Sequence, residues 1–168
     1  MSRFVEYLGF KVLNVNYTQA RDSFSEGSVL TISPNSYGVS TKNEDLKLAL
    51  KREGLLVLDG VYFGLGYFLR NFKTIKKNQG PDIFYQELEI QKNRNGKVFF
   101  LGASDATLAL ISERMTRDYP QIEFETLSPP FRAELNDCDN NDIENRIKAF
   151  DPDVIFVGMT CPKQEIWV

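Results

Sequence analysis

Four short apolar runs, each stopped by small or polar residues, constrain what this chain can fold into. They are Ser28-Val-Leu-Thr-Ile-Ser33, Leu55-Leu-Val-Leu58, Lys97-Val-Phe-Phe-Leu101 and Asp153-Val-Ile-Phe-Val157. A run that is apolar on both faces suits a central strand of a parallel sheet. Helical spacing of apolar residues fills the intervals. Leu46, Leu48, Ala49 and Leu50 mark the apolar side of one helix, Leu108, Ile111 and Met115 a helix over Thr107–Arg117, and Ile143, Ile147 and Phe150 one over Asp142–Phe150. Thr18–Ser25 reads as a helix capped by Thr18, and Pro81–Gln91 as another, with Pro81 near its start and Asp82 in its first turn. Gly9–Val15 and Ile122–Thr126 alternate as strands do. Strands separated by helices predict an α/β fold, a parallel sheet flanked by helices and joined by right-handed crossovers. A length of 168 residues suits a single domain over 1–168.

In such sheets ligands collect beyond the carboxyl ends of the strands. Here those ends are Ser33-Pro-Asn-Ser36, Asp59-Gly60, Gly102-Ala-Ser-Asp105 and Gly158-Met-Thr-Cys161. The chain has no histidine. That excludes a Ser-His-Asp triad, a Cys-His pair and a His-ligated metal centre, and leaves acid–base work to a carboxylate, Lys, Tyr or Cys. The two cysteines, Cys138 and Cys161, match no metal or redox spacing and read as thiols of a reducing compartment. With 20 basic and 23 acidic residues, net charge −3 and a pI of about 5.1, nothing argues for nucleic acid as a partner. The N-terminus has no signal-peptide layout, and no apolar run approaches the roughly 18 residues of a membrane helix. The expected location is the cytoplasm, with at most peripheral membrane contact.

Each turn fits a structural and a chemical role. Asp59-Gly60 suits a tight turn; a carboxylate at the mouth of a buried strand is also partly desolvated, as a general base is. Thr31 lies inside its strand as a β-branched core residue. Ser33, Asn35 and Ser36 suit capping of the next helix or hydrogen bonds to a sugar or phosphate. Gly102-Ala-Ser-Asp105 opens a helix, where free N–H groups bind phosphate, yet it is neither a dinucleotide fingerprint nor a P-loop, and Asp105 can serve as the anion itself. Gly60–Gly66 lacks the dinucleotide spacing and suits close helix packing. Lys73, Lys76 and Lys77 read as a solvated basic face, with phosphate contact as the second reading. Ser128-Pro-Pro-Phe131 reads as a rigid loop. Thr160 and Pro162 are helix-start signals, but the chain ends about one turn later on Trp167 and Val168. A truncated chain is expected, or an end that needs a partner surface, with an exposed Trp167 favouring a homo-oligomer.

Several segments together resemble the WecG/TagA/CpsF glycosyltransferase family. They are Val29-Leu-Thr-Ile-Ser-Pro-Asn-Ser-Tyr37, Leu58-Asp-Gly-Val61, Gln79-Gly-Pro-Asp82, Val98-Phe-Phe-Leu-Gly102, Tyr119-Pro120, Pro152-Asp-Val-Ile-Phe-Val-Gly158 and, most specific, Pro162-Lys-Gln-Glu-Ile-Trp167. The resemblance implies a Rossmann-like fold without the usual metal-binding D-x-D motif, and a bacterial enzyme that inverts configuration at the donor sugar. Donors would be UDP-sugars: UDP-N-acetylmannosamine, its uronic acid, or UDP-glucose. Acceptors would be sugars on an undecaprenyl-diphosphate lipid at the inner membrane face. Products would feed teichoic acid, common antigen, capsule or exopolysaccharide. The family's acidic base maps onto Asp59, its strand-end threonine onto Thr31, and its P-K-Q-E glutamine onto Gln164, facing the active site. Substrate contacts are expected from Ser33, Asn35, Gln79 and Asp82 in the first half, and from Gly102, Ser104, Gly158, Lys163 and Glu165 in the second. No cofactor or metal is expected beyond the UDP-sugar.

The chain departs from the family pattern in three places. The common T-x-N reads Thr31-Ile-Ser33, so any role of that Asn passes to Ser33 or Asn35. The usual G-Y-F loop reads Pro129-Pro-Phe131. Members also continue past the P-K-Q-E segment into a basic, apolar extension that meets the diphosphate and the membrane. The alternatives to a glycosyltransferase are a non-catalytic UDP-sugar or nucleotide-binding module and a Rossmann-type dehydrogenase, the latter disfavoured by the missing glycine fingerprint.

Overall fold

The computed structural model describes residues 2–21, 27–52, 54–132 and 134–168. The chain forms two compact units, Met1–Gln86 with Glu165–Val168, and Glu87–Gln164. Both are α/β, with parallel strands flanked by helices, as the alternation of apolar runs and helical spacing predicts.

The first unit begins with a hairpin. Strand β1 (Phe4–Tyr7) pairs antiparallel with β2 (Phe10–Leu13), Tyr7 opposite Phe10. The two turn residues, Leu8 and Gly9, both have positive φ (53° and 81°), which two-residue hairpins of this twist require. The alternation at 9–15 marks β2 but not its partner. A Leu-Gly turn carries none of the Asn-Gly or Asp-Gly signal that announces a hairpin. Helix α1 (Tyr17–Arg21) follows; the predicted end at Ser25 lies outside the described residues. Strand β3 (Ser28–Ile32) is joined to β4 (Gly54–Leu58) by helices α2 (Pro34–Ser40) and α3 (Glu44–Ala49). The β3–β4 ladder is parallel, with Thr31 opposite Val57 and Ile32 opposite Leu58.

Helix α3 buries Leu46 and Ala49, followed by Leu50, but Leu48 is 55% exposed rather than inward. Two positions beyond Leu46 it stands on the opposite side of the helix. Helix α4 (Val61–Asn71) occupies the stretch read as a packing segment, and Gly66 there lies so close to the Tyr7 hydroxyl that a Cβ would be 2.8 Å from it. Helix α5 (Gly80–Arg94) leads from the first unit into the second. Leu13, Tyr17, Ala20, Leu55, Val57 and Ile83 form one core cluster, against which Phe4, Val15 and Val29 pack.

The second unit centres on strand β5 (Lys97–Gly102), parallel to β6 (Glu123–Leu127) on one side and β7 (Val154–Gly158) on the other. Val98, Phe99 and Leu101 are essentially buried, as a central parallel strand should be. Helix α6 (Asp105–Asp118) buries Leu108 and Met115, and α7 (Asp137–Phe150) buries Ile143. Ile111, Ile147 and Phe150 are only half-buried. Helix α7 starts five residues before the predicted Asp142, for Asn136 caps it through a reciprocal box with Asp139. The last helix, α8 (Lys163–Trp167), forms the expected single turn. Trp167 is half-buried and not exposed, which removes the argument for self-association that rested on it.

Candidate functional site

In the first unit the parallel register brings the ends of β3 and β4 together. The Asp59 N–H donates to the Ile32 carbonyl at 2.9 Å, so the ladder runs one residue past β4 before the chain turns. Cross-strand partners share a face and residues two apart repeat it. Thr31, Val57 and Asp59 are therefore on one side of the pair, the side on which Leu55 and Val57 meet Tyr17 and Ile83. Thr31 and Asp59 are both half-buried. Gly60 takes φ 88° and opens α4 without any side-chain cap. Pro34 packs against this turn, its Cδ lying 3.6 Å from where a Gly60 Cβ would be.

Ser33 ends β3 and caps α2. Its hydroxyl accepts from the Ser36 N–H at 3.2 Å, and its own N–H donates to Ser36 Oγ at 2.9 Å. The two serines thus form a capping box, with Ser33 as the cap, Pro34 at the first helical position and Ser36 closing the box from within. Asn35, the second residue of α2, is exposed. Thr31, Ser33 and Asp59 are brought together by the strand pair, and Asn35 stands beside them in sequence.

Gln79 and Asp82 sit at the start of α5 with exposed side chains. What positions them is Asn78, which sequence reading missed. Its side chain is buried, accepts from the Tyr17 N–H at 2.8 Å and donates to the Val15 carbonyl at 3.0 Å. The Gln79 carbonyl accepts from the Ile83 N–H at 3.1 Å, and Ile83 is in the core cluster with Val57. An Asn before Gln-Gly-Pro was the only signal, and it reads equally as turn composition.

In the second unit Gly102 and Gly158 end β5 and β7 side by side. The Ala103 N–H donates to the Gly158 carbonyl at 3.0 Å, and Ser128 Oγ donates to the Ala103 carbonyl at 2.9 Å. Ser104 caps α6, its hydroxyl accepting from the Thr107 N–H at 3.3 Å. Beside that helix start lies an open cleft of about 470 Å³, lined among others by Asp105, Leu108, Ser112, Thr126, Ser128 and Arg146. Arg146 pairs with Glu125. The apolar spacing of α6 and α7 placed neither the cleft nor this arginine.

Lys163 is engaged structurally: its N–H donates to the Thr160 carbonyl at 2.9 Å, and its Nζ donates to the Arg132 carbonyl at 3.1 Å. It thereby ties the start of α8 to the loop that follows Ser128-Pro-Pro-Phe131. Gln164 is half-buried and Glu165 buried. Thr31, Ser33, Asn35, Asp59, Gln79, Asp82 and Glu165 belong to the first unit, and Gly102, Ser104, Gly158, Lys163 and Gln164 to the second. Among the described residues no three His, Cys, Asp or Glu side chains are grouped to hold a metal ion.

The sequence matches the model of the glycosyl transferase WecG/TagA/CpsF family over residues 5–168. It is 26% identical over 157 residues to a Staphylococcus aureus protein named N-acetylglucosaminyldiphosphoundecaprenol N-acetyl-beta-D-mannosaminyltransferase, the match covering 94% of this chain and 60% of that protein. A Bacillus spizizenii protein of the same name is 25% identical over 140 residues, covering 83% of this chain and 52% of the relative. The chain therefore spans between about half and 60% of the length of these relatives. The family match takes in every turn on which the candidate residues stand, and the chain belongs to the WecG/TagA/CpsF glycosyl transferase family.

Proposed function

We propose that this chain is the core of a metal-independent, inverting glycosyltransferase that moves a hexose, of the N-acetylmannosamine type, from a UDP-sugar to a lipid-linked acceptor in bacterial surface-polymer synthesis. The observation that carries the proposal is the placement of Asp59. It is a half-buried carboxylate at the carboxyl end of a parallel strand, held by its own N–H to the neighbouring strand and flanked by Thr31 and Ser33. The relatives' names specify an N-acetylglucosaminyl-diphosphoundecaprenol acceptor, and a sugar hydroxyl on such a lipid is what Asp59 would deprotonate. The acceptor oxygen forms its bond to the donor's anomeric carbon as the bond from that carbon to the UDP oxygen breaks. UDP leaves on the opposite face, and the proton stays on Asp59. Thr31 and Asn35 orient the sugars. Gly102 and Ser104 open a 14-residue helix whose free N–H groups suit a diphosphate. The acceptor is membrane-borne, so the enzyme works at the membrane surface; no helix among the described residues is long and apolar enough to cross it.

The test is Asp59→Asn, assayed for UDP release and sugar transfer. A general base is worth about 10²–10⁴ in rate. The variant should lose at least about a hundredfold in kcat while keeping its melting temperature and its calorimetric affinity for UDP. Transfer at near wild-type rate would overturn the assignment of Asp59.

A further inference from the structure

Helix α4 is apolar on two opposite sides. Its inner side carries Phe63 and Tyr67, whose rings meet Tyr7 edge-on at centroid distances of 5.8 and 5.2 Å. Its outer side presents Val61, Tyr62, Leu65, Phe68 and Leu69, and Phe72 extends the row past the helix end. At about 100° per residue these six fall within an arc of about 120°. They are 44–84% exposed. No other element among the described residues exposes more than one large apolar side chain. Phe72 is held in the left-handed region (φ 51°), its N–H bonded to the Phe68 carbonyl at 2.8 Å. The most exposed ring of the row thus stands on backbone that L residues rarely adopt.

The charge of the segment that carries this row is one-signed. Between Asp59 and Asp82 the chain carries Arg70, Lys73, Lys76 and Lys77 and no acidic residue, although the whole protein is net negative. All four cations are exposed. The lysine segment is fixed to the unit by buried Ile75 and by the Lys76 N–H, which donates to Asn14 Oδ1 at 2.9 Å. Lys77 folds back along α4, its Cε 3.0 Å from where a Gly64 Cβ would be, at the edge of the apolar row.

We propose that the outer face of α4 docks this chain on an anionic lipid bilayer, the apolar row entering the headgroup boundary and the lysines meeting the phosphates. A lipid surface satisfies both halves of the pattern, an apolar stripe and a cationic rim. A second copy of the chain would oppose these cations with their own duplicates. Asp59 immediately precedes the helix, so docking would set the proposed base at the level of the lipid headgroups. That consequence rests on the glycosyltransferase reading; the docking itself does not.

The test is co-sedimentation of the full chain with vesicles of phosphatidylglycerol mixed into phosphatidylcholine, against phosphatidylcholine alone, at low and high salt. Binding should require the anionic lipid and weaken with salt. Each cation near such a surface is worth about fivefold in affinity. Lys73→Glu/Lys76→Glu/Lys77→Glu should therefore cost at least about a hundredfold, and Leu65→Ser/Leu69→Ser should also release the chain. Both variants should keep the wild-type circular dichroism spectrum, since all five side chains are solvent-facing. Transfer to a short-chain, water-soluble acceptor should be unchanged in both and lost in Asp59→Asn. Wild-type chain left in the supernatant, variants that bind as wild type does, or a dimer dispersed by Leu65→Ser/Leu69→Ser without any change in vesicle binding would overturn the proposal. Vesicle binding that depends on α4, in a protein whose transfer survives Asp59→Asn, would uphold docking and remove the glycosyltransferase role of Asp59 alone.

Discussion

A Cβ on Gly102 would lie 2.5 Å from the carbonyl oxygen of Gly158 and 2.6 Å from its carbon, and Gly102 already has φ 111°. Both atoms are backbone of the neighbouring strand and cannot swing aside. Gly102→Ala should therefore destabilise the protein by about 2–4 kcal/mol, overpacking and φ strain acting together. Gly38 provides the opposite case, inside α2 with open space around it. Gly38→Ala should stabilise by about 0.5–1 kcal/mol. Urea unfolding of the two variants measures both, and a neutral Gly102→Ala would mean that β5 and β7 do not end in this register. Sequence reading placed Gly102 at a candidate phosphate turn without seeing that the neighbouring strand by itself demands a glycine. It located Asp59 at a strand end, where the structure has it, because a carboxylate after four apolar residues has few other places to be. Asn78 was illegible, since its value lies in two bonds across 61 and 63 residues.

Elements were legible where burial dictated their pattern and obscure where local chemistry did. All four continuous runs are strands, although only β4 and β5 are buried along most of their length; β3 is mostly half-buried and β7 has no buried residue. Strand β1 was missed because only its pairing with β2 defines it. The extent of helix α4 was not read, because Gly64 and Gly66 within it disfavour a helix interior. The first turn of α7, Asp-Cys-Asp-Asn, has no apolar stripe and is held by its cap. The Asn136 side chain accepts from the Asp139 N–H at 2.8 Å, and the Asn136 N–H donates to Asp139 Oδ2 at 3.0 Å. Arg132 pairs with the same carboxylate at 3.2 Å. Asn136→Ala should cost about 1 kcal/mol and raise hydrogen exchange through residues 137–140 specifically. Asp142→Ala, at an exposed position past the cap, should stay within about 0.5 kcal/mol of wild type. Equal effects of the two substitutions would show that charge near the helix start, rather than the box, stabilises that turn.

Across the whole chain, the absence of histidine shapes pH response as much as chemistry. No imidazole is present to change charge between pH 5 and 8, so the limits of stability are set by groups outside that interval. On the acid side Asp118 is held below the usual carboxylate value of 3.8, first by the hydrogen bond from Arg117 and also by Arg114. A carboxyl depressed on folding contributes stability above its unfolded value and loses it as pH falls through the folded one. Asp118 is an exposed residue whose ion pairs solvent screens, so its share is small. On the alkaline side burial pushes the Tyr7 phenol above its ordinary 10.0, partly opposed by the Arg70 charge. A group raised on folding contributes below its unfolded value, and that contribution is lost as pH climbs through the folded one. Tyr7 lies in the hairpin and meets the rings of α4 edge-on, so its ionisation strikes the packing beneath the proposed docking helix. Thermal melts should therefore be flat from pH 6 to 8, within about 1–2 °C for a chain of this size. Stability should fall below about pH 4 and again above about pH 10, and Tyr7→Phe should remove part of the alkaline loss. A sigmoidal drop centred between pH 6 and 7.5 would refute this.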